Sequence, residues 1–486
     1  MPSAVLARFP AAAVATSALA MVVALSTFQS SAQDPKKPAQ AAPVAPKPSA
    51  TPTATPKPTA TPAATPKPTA TPTPSATKPA AVPVPSPAPP PRLATYAAQR
   101  DFLAKHTKVL ELTDGRGALV AICPEWQGRV MTSSCEGPDG PGLGWINESF
   151  IAARKSDPHF NNYGGEDRFW LGPEAGQFGL WFAAGKPQTR ANWFTPPALN
   201  VGPFAVSQQT EASFYRMTRG VQFQNAKGTK FDLAVARDVR LLSAYHFGEF
   251  FGPAVAKIVA DGKLKLVGFE SRNVVTNKAK PLTAAEGLVS IWTLGMFPDQ
   301  AETVIIVPYR SDADPAKDAA LGSVVNSDYF GKIPPEQLRV LPKAVLLRSD
   351  RRHDTKLGIS PRRAVPYLGA IDFAGGTLTL VHFSLPADPT KAKYVNNEWK
   401  LPQADPLSGD VVNVFTEGSP ANSPKPRLGE FYELESLSPA QELATGQSLM
   451  HHHRTFHLRG DPKVLAAVMK AVLGVEAEEV KKALGK

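Results

Sequence analysis

After residue 92 the chain keeps returning to one pattern, a short apolar or alternating run closed off by Gly, Pro, Asn or Asp. The stretch "FDLAVARDVRLL" places Phe231, Leu233 and Val235 on one face, the period of two expected of a half-buried strand. "KLVGFESRNVVTN", "LVSIWTLGMF", "TVIIVPY", "AVLLRS", "GTLTLVHFSL", "GDVVNVF" and "FYELESLS" follow, each bounded by turn residues. So many strands without regular strand–helix alternation restrict the fold to an all-β antiparallel sandwich and exclude a doubly wound sheet or a β/α barrel. Helical pattern is expected only at the edges, over residues 93–105 and over 464–473 behind Asp461-Pro462, a helix-start signature. No break in composition interrupts residues 92–486, and one domain is expected there.

The first 91 residues read differently. Residues 1–32 resemble a secretory signal, with Arg8, an apolar run from Ala11 to Leu25, and the small residues Ser30 and Ala32 before a cut. An uncleaved N-terminal anchor is the other reading of the same run. Residues 33–91 are dominated by Pro, Ala, Thr and Lys and contain "TPTATPKPTA" followed by "TPAATPKPTA". This composition is expected to form a disordered, extended linker of at most about 180 Å. The formal charge of +11 is shared unevenly: Arg8 and six lysines against Asp34 place +6 before residue 92, leaving +5 for the rest. A basic tail behind an export signal, with no nucleic-acid motif, speaks against nucleic acid as a partner and for acidic surface polymers. The expected location is periplasmic or extracellular, with membrane contact only through an uncleaved N-terminal segment.

An oxidising compartment makes a disulfide between Cys123 and Cys135 worth testing. "GALVAIC" and "GRVMTSSC" read as a hairpin turning at residues 124–127, which pairs Cys123 with Gly128 and leaves Cys135 far down the other strand. That separation exceeds the roughly 7 Å a bridge tolerates, so two free, buried thiols are expected.

Two constellations carry chemistry. In "GEFYELESLSP", alternation puts Glu433 and Glu435 on one face with Phe431 and Leu437, about 7 Å apart, and Tyr432, Leu434 and Ser436 on the other. In "SLMHHHRTFHL", Leu449, His451, His453, Thr455 and His457 share a face. The connection "PAQELATGQ" is short enough for antiparallel neighbours, and if the two strands pair, the glutamates lie beside the histidines. Glu433, Glu435, His451 and His453 would then suit proton transfer to and from a hydroxyl; a solvated strand face is the plain alternative. With no HExxH motif or Cys pair, neither a metal nor another cofactor is expected. The second constellation is "NNYGGEDRFWLGPEAGQFGLWF", read as an irregular loop in which Arg168, Trp170 and Glu174 could meet a sugar, hydroxyls in the plane and a ring face stacked. Burial of its aromatics as a satellite core is the alternative. "YVNNEWKLPQADPLSGDVVNVF" has the same character and adds Asn396, Asn397, Trp399, Asp410 and Asn413.

"CPEWQGRVMTSS", "GGEDRFWLGPE", "VVTN" before "LVSIWTLGMF", and "YELESLSPAQELATGQSLMHHHRTFHL" together resemble the galactose mutarotase-like superfamily, and within it an exported bacterial group. The similarity spans residues 117–475. It implies a β-supersandwich of large antiparallel sheets whose concave face holds a carbohydrate. It also implies a late-strand glutamate as general base, which falls on Glu435, with Glu433 next in register. Members take a histidine acid from the strand after the "TN" turn; this chain departs there, with Ile291 and Trp292 in the segment. His451 or His453 is the available substitute, and Arg168 is placed to steer hydroxyls or a uronate carboxylate. The function expected is carbohydrate binding, with epimerase-type acid/base chemistry centred on Glu435. The rivals are a non-catalytic glycan-binding module on a Pro-rich tether and a structural surface protein; the partner expected is a carbohydrate or cell-surface glycan.

Overall fold

The computed structural model describes residues 93–210, 213–418 and 428–485. The chain divides into Met1–Val84 and Pro85–Lys486, and the expected signal and linker lie outside the described residues.

The all-β expectation holds. Every strand pair among the described residues is antiparallel, in sheets of three, ten and five strands. The ten-stranded sheet runs Leu338–Val340, Ala344–Arg348, Val304–Pro308, Tyr367–Asp372, Thr377–Phe383, Ser448–Arg459, Lys265–Asn277, Lys230–Leu242, Phe214–Gln224 and Ala205–Thr210. The five-stranded sheet runs Thr355–Ile359, Val412–Thr416, Phe431–Leu437, Ser290–Pro298 and Arg168–Gly172. Alternation decides the long strands: in Lys230–Leu242 the buried positions begin Phe231, Leu233, Val235. Phe431–Leu437 is instead buried at every residue, because the ten-stranded sheet covers one of its faces and loops cover the other.

The main core lies largely between these sheets and includes Phe297, Leu434, Val275 and Val381. A second core fills the outer side of the ten-stranded sheet, where Phe456, Leu458 and Leu380 meet helices. Those helices correct the expectation that helix is confined to the edges. Ala244–Phe251 and Pro253–Asp261 interrupt the middle of the chain and bury Phe247, Val255 and Val259 there. Each is only about two turns, split by Gly252-Pro253, so neither displays a long 3.6-residue period. The edge helices form where expected, Tyr96–Ala104 capped by Thr95 and Pro462–Leu473 capped by Asp461.

Cys123 and Cys135 are free and buried, as the hairpin argument requires. The turn is a 3-10 stretch, Pro124–Trp126, ending in Gln127 at φ 58°, and Cys123 pairs with Arg129, one residue beyond the expected Gly128.

The larger correction concerns the histidines. Ser448–Arg459 pairs with Thr377–Phe383 and Lys265–Asn277 and never with Phe431–Leu437, which belongs to the other sheet. The ten-residue connection, 438–447, spans the gap between sheets, pinned where Leu282 and Leu443 bridge and where Gly446 N–H donates to the Asn277 carbonyl. Its length alone selects no neighbour.

Candidate functional site

The site is built on the loop-covered face of the five-stranded sheet. Cross-strand register sets one row over all five strands: Arg168, Leu294, Glu435, Asn413 and Gly358. Residues directly opposite in an antiparallel pair share a face, so Arg168, Glu435 and Asn413 point the same way, and Arg168 lies about 14 Å from Asn413 across three strand spacings. The next row is Met296, Glu433, Phe415 and Lys356. A third pairs Trp292 with Leu437 and with Trp170. Expecting "GGEDRFWLG" to be irregular was therefore wrong: Arg168–Gly172 is an edge strand, and pairing with Ser290–Pro298 aims Arg168 and Trp170 into the site.

The acidic and basic groups interlock. Arg168 Nη2 donates to Glu433 Oε1 at 2.9 Å, and its guanidinium lies 4.0 Å from the Trp170 ring centre. Glu435 is fully buried; its Oε2 accepts from Trp292 Nε1 at 2.8 Å and from Lys356 Nζ at 3.4 Å. Lys356 also lies 4.7 Å from the Trp292 ring centre. Burial pushes the Glu433 carboxyl up to about 7, with the neighbouring Glu435 adding to the rise and Arg168 opposing it. For Lys356 burial is the largest influence and lowers the pKa, but Glu435, Glu174 and Glu433 together outweigh it, so the ammonium is held above its ordinary value. Burial lowers Arg168.

Loops close the site. Glu174 follows the edge strand; its N–H donates to Asn397 Oδ1 at 2.8 Å and its Oε1 accepts from Trp193 Nε1 at 2.8 Å. Burial raises the Glu174 carboxyl. Asn397 is thus a staple between loops, while Trp399 is half-buried, edge-on to Phe182 at 5.0 Å. At the far end Asp410 Oδ2 accepts from Tyr329 Oη at 2.7 Å and from Asn326 Nδ2 at 2.9 Å. Burial brings Asp410 up to about 6. Gly358 makes room for it, since a Cβ there would stand 1.9 Å from Asp410 Oδ2.

Several buried polar atoms of this face have no hydrogen-bond partner among the described residues: Arg168 Nε and Nη1, Glu435 Oε1, Trp170 Nε1, Trp181 Nε1 and Asn413 Oδ1. Each costs about 1–3 kcal/mol if left unmet. Among the described residues no group of three or more His, Cys, Asp or Glu is placed to hold a metal ion.

The structure brings together Glu433, Glu435, Arg168, Trp170 and Glu174 and keeps His451 and His453 apart from them. Both histidines are fully buried on the reverse side of the sheet, where Ser436 Oγ lies 2.8 Å from His451 Nε2 and 2.8 Å from His453 Nδ1. Neither can replace the missing acid beside Glu435. The third inward histidine, His457, meets Glu166 at 3.0 Å in the same interior layer. Sequence reasoning missed Lys356 and Tyr329. The available signal was a lysine in "DTKLGIS", a run short and apolar enough to be a buried strand.

Solved structures with which the chain shares similarity include a provisionally assigned aldose 1-epimerase from Escherichia coli K12, 12% identical over 72% of this chain and 98% of that one, TM-score 0.43. A galactose mutarotase-like protein from Lactobacillus casei ATCC 334 is 12% identical over 72% of this chain and 100% of its own, TM-score 0.41. A galactose mutarotase related enzyme from Lactobacillus acidophilus is 10% identical over 73% and 98%, TM-score 0.39. The last two carry the galactose mutarotase name. No curated protein matches the chain. A family model spans residues 94–484, from the first helix to the last, and on that match the chain belongs to the family of unknown function DUF6786.

Proposed function

We propose that the loop-covered face of the five-stranded sheet binds a carbohydrate, in a protein exported by residues 1–32 and tethered by the Pro-rich stretch that follows. One observation carries the reading. Buried donors at Arg168 and Trp170 and buried acceptors at Glu435 and Asn413 lie along neighbouring strand rows with no partner from the chain. A molecule with hydroxyls on both edges and an apolar ring face supplies both kinds of partner, with the rings of Trp170, Trp193 and Trp399 nearby. The cell-surface glycan expected as the alternative partner is the same chemistry in polymeric form.

A second reading adds turnover. Glu433 sits near neutrality two residues from Glu435, so one carboxyl of the pair can hold a proton while the other accepts one. This pair, and no histidine, would carry epimerase-type exchange. The test is a thermal-shift screen of the full chain against neutral, aminated and acidic sugars, followed by NMR of anomer exchange on any binder. Stabilisation by a sugar class, lost in Glu435→Gln, is expected. Silence across the panel overturns the proposal, and binding without faster exchange removes the second reading.

A further inference from the structure

The charge in the site is unbalanced in a way that selects among sugars. Glu174, Glu433, Glu435 and Asp410 are gathered around two cations, Arg168 and Lys356, and both cations are already committed to the glutamate pair at 2.9 and 3.4 Å. What remains free of the basic groups is Arg168 Nε and Nη1, at the far end of the row from Asn413. The free acceptors concentrate at one end, where Lys356 is the cation. Glu435 Oε1 and Asn413 Oδ1 are buried acceptors without partners, side by side in register. The Asn413 amide is oriented by its own bonds, its Nδ2 donating to the Leu357 carbonyl at 3.2 Å and to Tyr329 Oη at 3.0 Å, so its oxygen is the free atom. Asp410 lies over Gly358, the next position of the same row. The donors Arg168 Nε and Nη1 stand at the opposite end.

Two adjoining acceptors in an acid-rich corner match a group that donates in several directions and accepts in none, and an ammonium group has three donors and no acceptor. A carboxylate or phosphate brought there would meet like charge at short range in a site that water does not screen. Resting on the carbohydrate reading above, we infer that the site takes an amino sugar, its protonated amine seated between Glu435 and Asn413 and its hydroxyls toward Arg168 and Trp170. A uronate or sugar phosphate placed with its acid group in that corner is opposed by the same charges. While no amine is bound, a proton held by Glu433 relieves part of the charge. A bound ammonium makes that proton dispensable, and binding should release it.

The experiment is calorimetric titration of the full chain at neutral pH with glucosamine and galactosamine, beside their N-acetyl forms, glucose, galactose, glucuronate and glucose 6-phosphate. Amino sugars are expected to bind at least tenfold tighter than the N-acetyl and neutral forms, with an apparent enthalpy that changes with the ionisation enthalpy of the buffer as protons are released. Glu435→Gln should reduce the preference for the amine to within threefold. Neutral or acidic sugars binding as well as amino sugars would overturn this inference and leave carbohydrate binding standing. Binding of none of the panel would overturn both.

Discussion

The indole Nε1 of Trp292 donates to Glu435 Oε2 at 2.8 Å, and the two side chains are held against each other by neighbouring strands of one sheet. In the superfamily that the sequence resembles, a histidine acid is expected from this segment. An indole is a donor that does not titrate, so it orients the glutamate and cannot exchange a proton with a substrate. Under the proposed exchange reading the second proton-transfer group is therefore the other carboxyl, Glu433.

Glu435→Gln keeps the shape of the side chain and the bond from Trp292. Sugar affinity is expected to fall at least tenfold, and stability by about 3–5 kcal/mol, because the buried Lys356 ammonium loses its carboxylate. Titration calorimetry and thermal unfolding of the same sample check both halves.

Lys356→Met acts in the opposite sense. It leaves Glu435 and Glu174 without the ammonium that the site holds between Trp292 and Tyr329. Breaking such a buried pair from one side costs about 3–5 kcal/mol, and the double variant Lys356→Met/Glu435→Gln should recover part of it. Urea unfolding of the four proteins in the cycle gives the coupling; absence of recovery would show that lysine and glutamate act independently.

Ser436→Ala separates the two sides of the sheet. The hydroxyl serves His451 and His453 on the reverse face, so its loss should cost about 1–3 kcal/mol of stability and leave sugar affinity unchanged. A change in affinity would mean that the histidine layer and the site are coupled.

The histidine layer predicts a pH dependence. Burial brings His453 from the ordinary 6.5 down to about 4, and it lowers His451 as well. Below pH 6.5 the unfolded chain takes up protons that the folded chain refuses, so the stability from neutral histidines is present above pH 6.5 and is lost as pH falls toward 4. Glu433 and Asp410, raised by burial, run the other way, since the folded chain keeps protons that the unfolded chain has lost. The histidine part is isolated by comparison: the stability difference between the wild type and His453→Asn should shrink by up to about 3 kcal/mol between pH 7 and pH 4. Denaturant unfolding of both at each pH measures it, and a constant difference would assign His453 no role in the slope.

How much of this was legible in the sequence depends on distance along the chain. Alternation within a strand is local, so it correctly grouped Glu433 with Glu435 and His451 with His453. Which strand lies alongside is decided by contacts far away in sequence. Placing the histidines beside the glutamates failed for that reason, since Ser436 turns one strand's reverse face toward the other sheet. Arg168 was found through its neighbours in a glycine-rich motif. Lys356 was missed because one lysine in a five-residue strand carries no pattern until Val412–Thr416 is laid beside it.

The five-stranded sheet has its latest strand in its middle. Thr355–Ile359 and Val412–Thr416 lie on one side of Phe431–Leu437, and Ser290–Pro298 and Arg168–Gly172 on the other. A chain synthesised from its N-terminus therefore has two half-sheets with no strand pairing between them until residues 431–437 have emerged. Arg168 and Lys356 spend that interval on separate pieces, each without its glutamate. The site is completed only by the segment that carries its two central carboxyls, and any chain cut short of Phe431 lacks both the sheet's middle and those carboxyls.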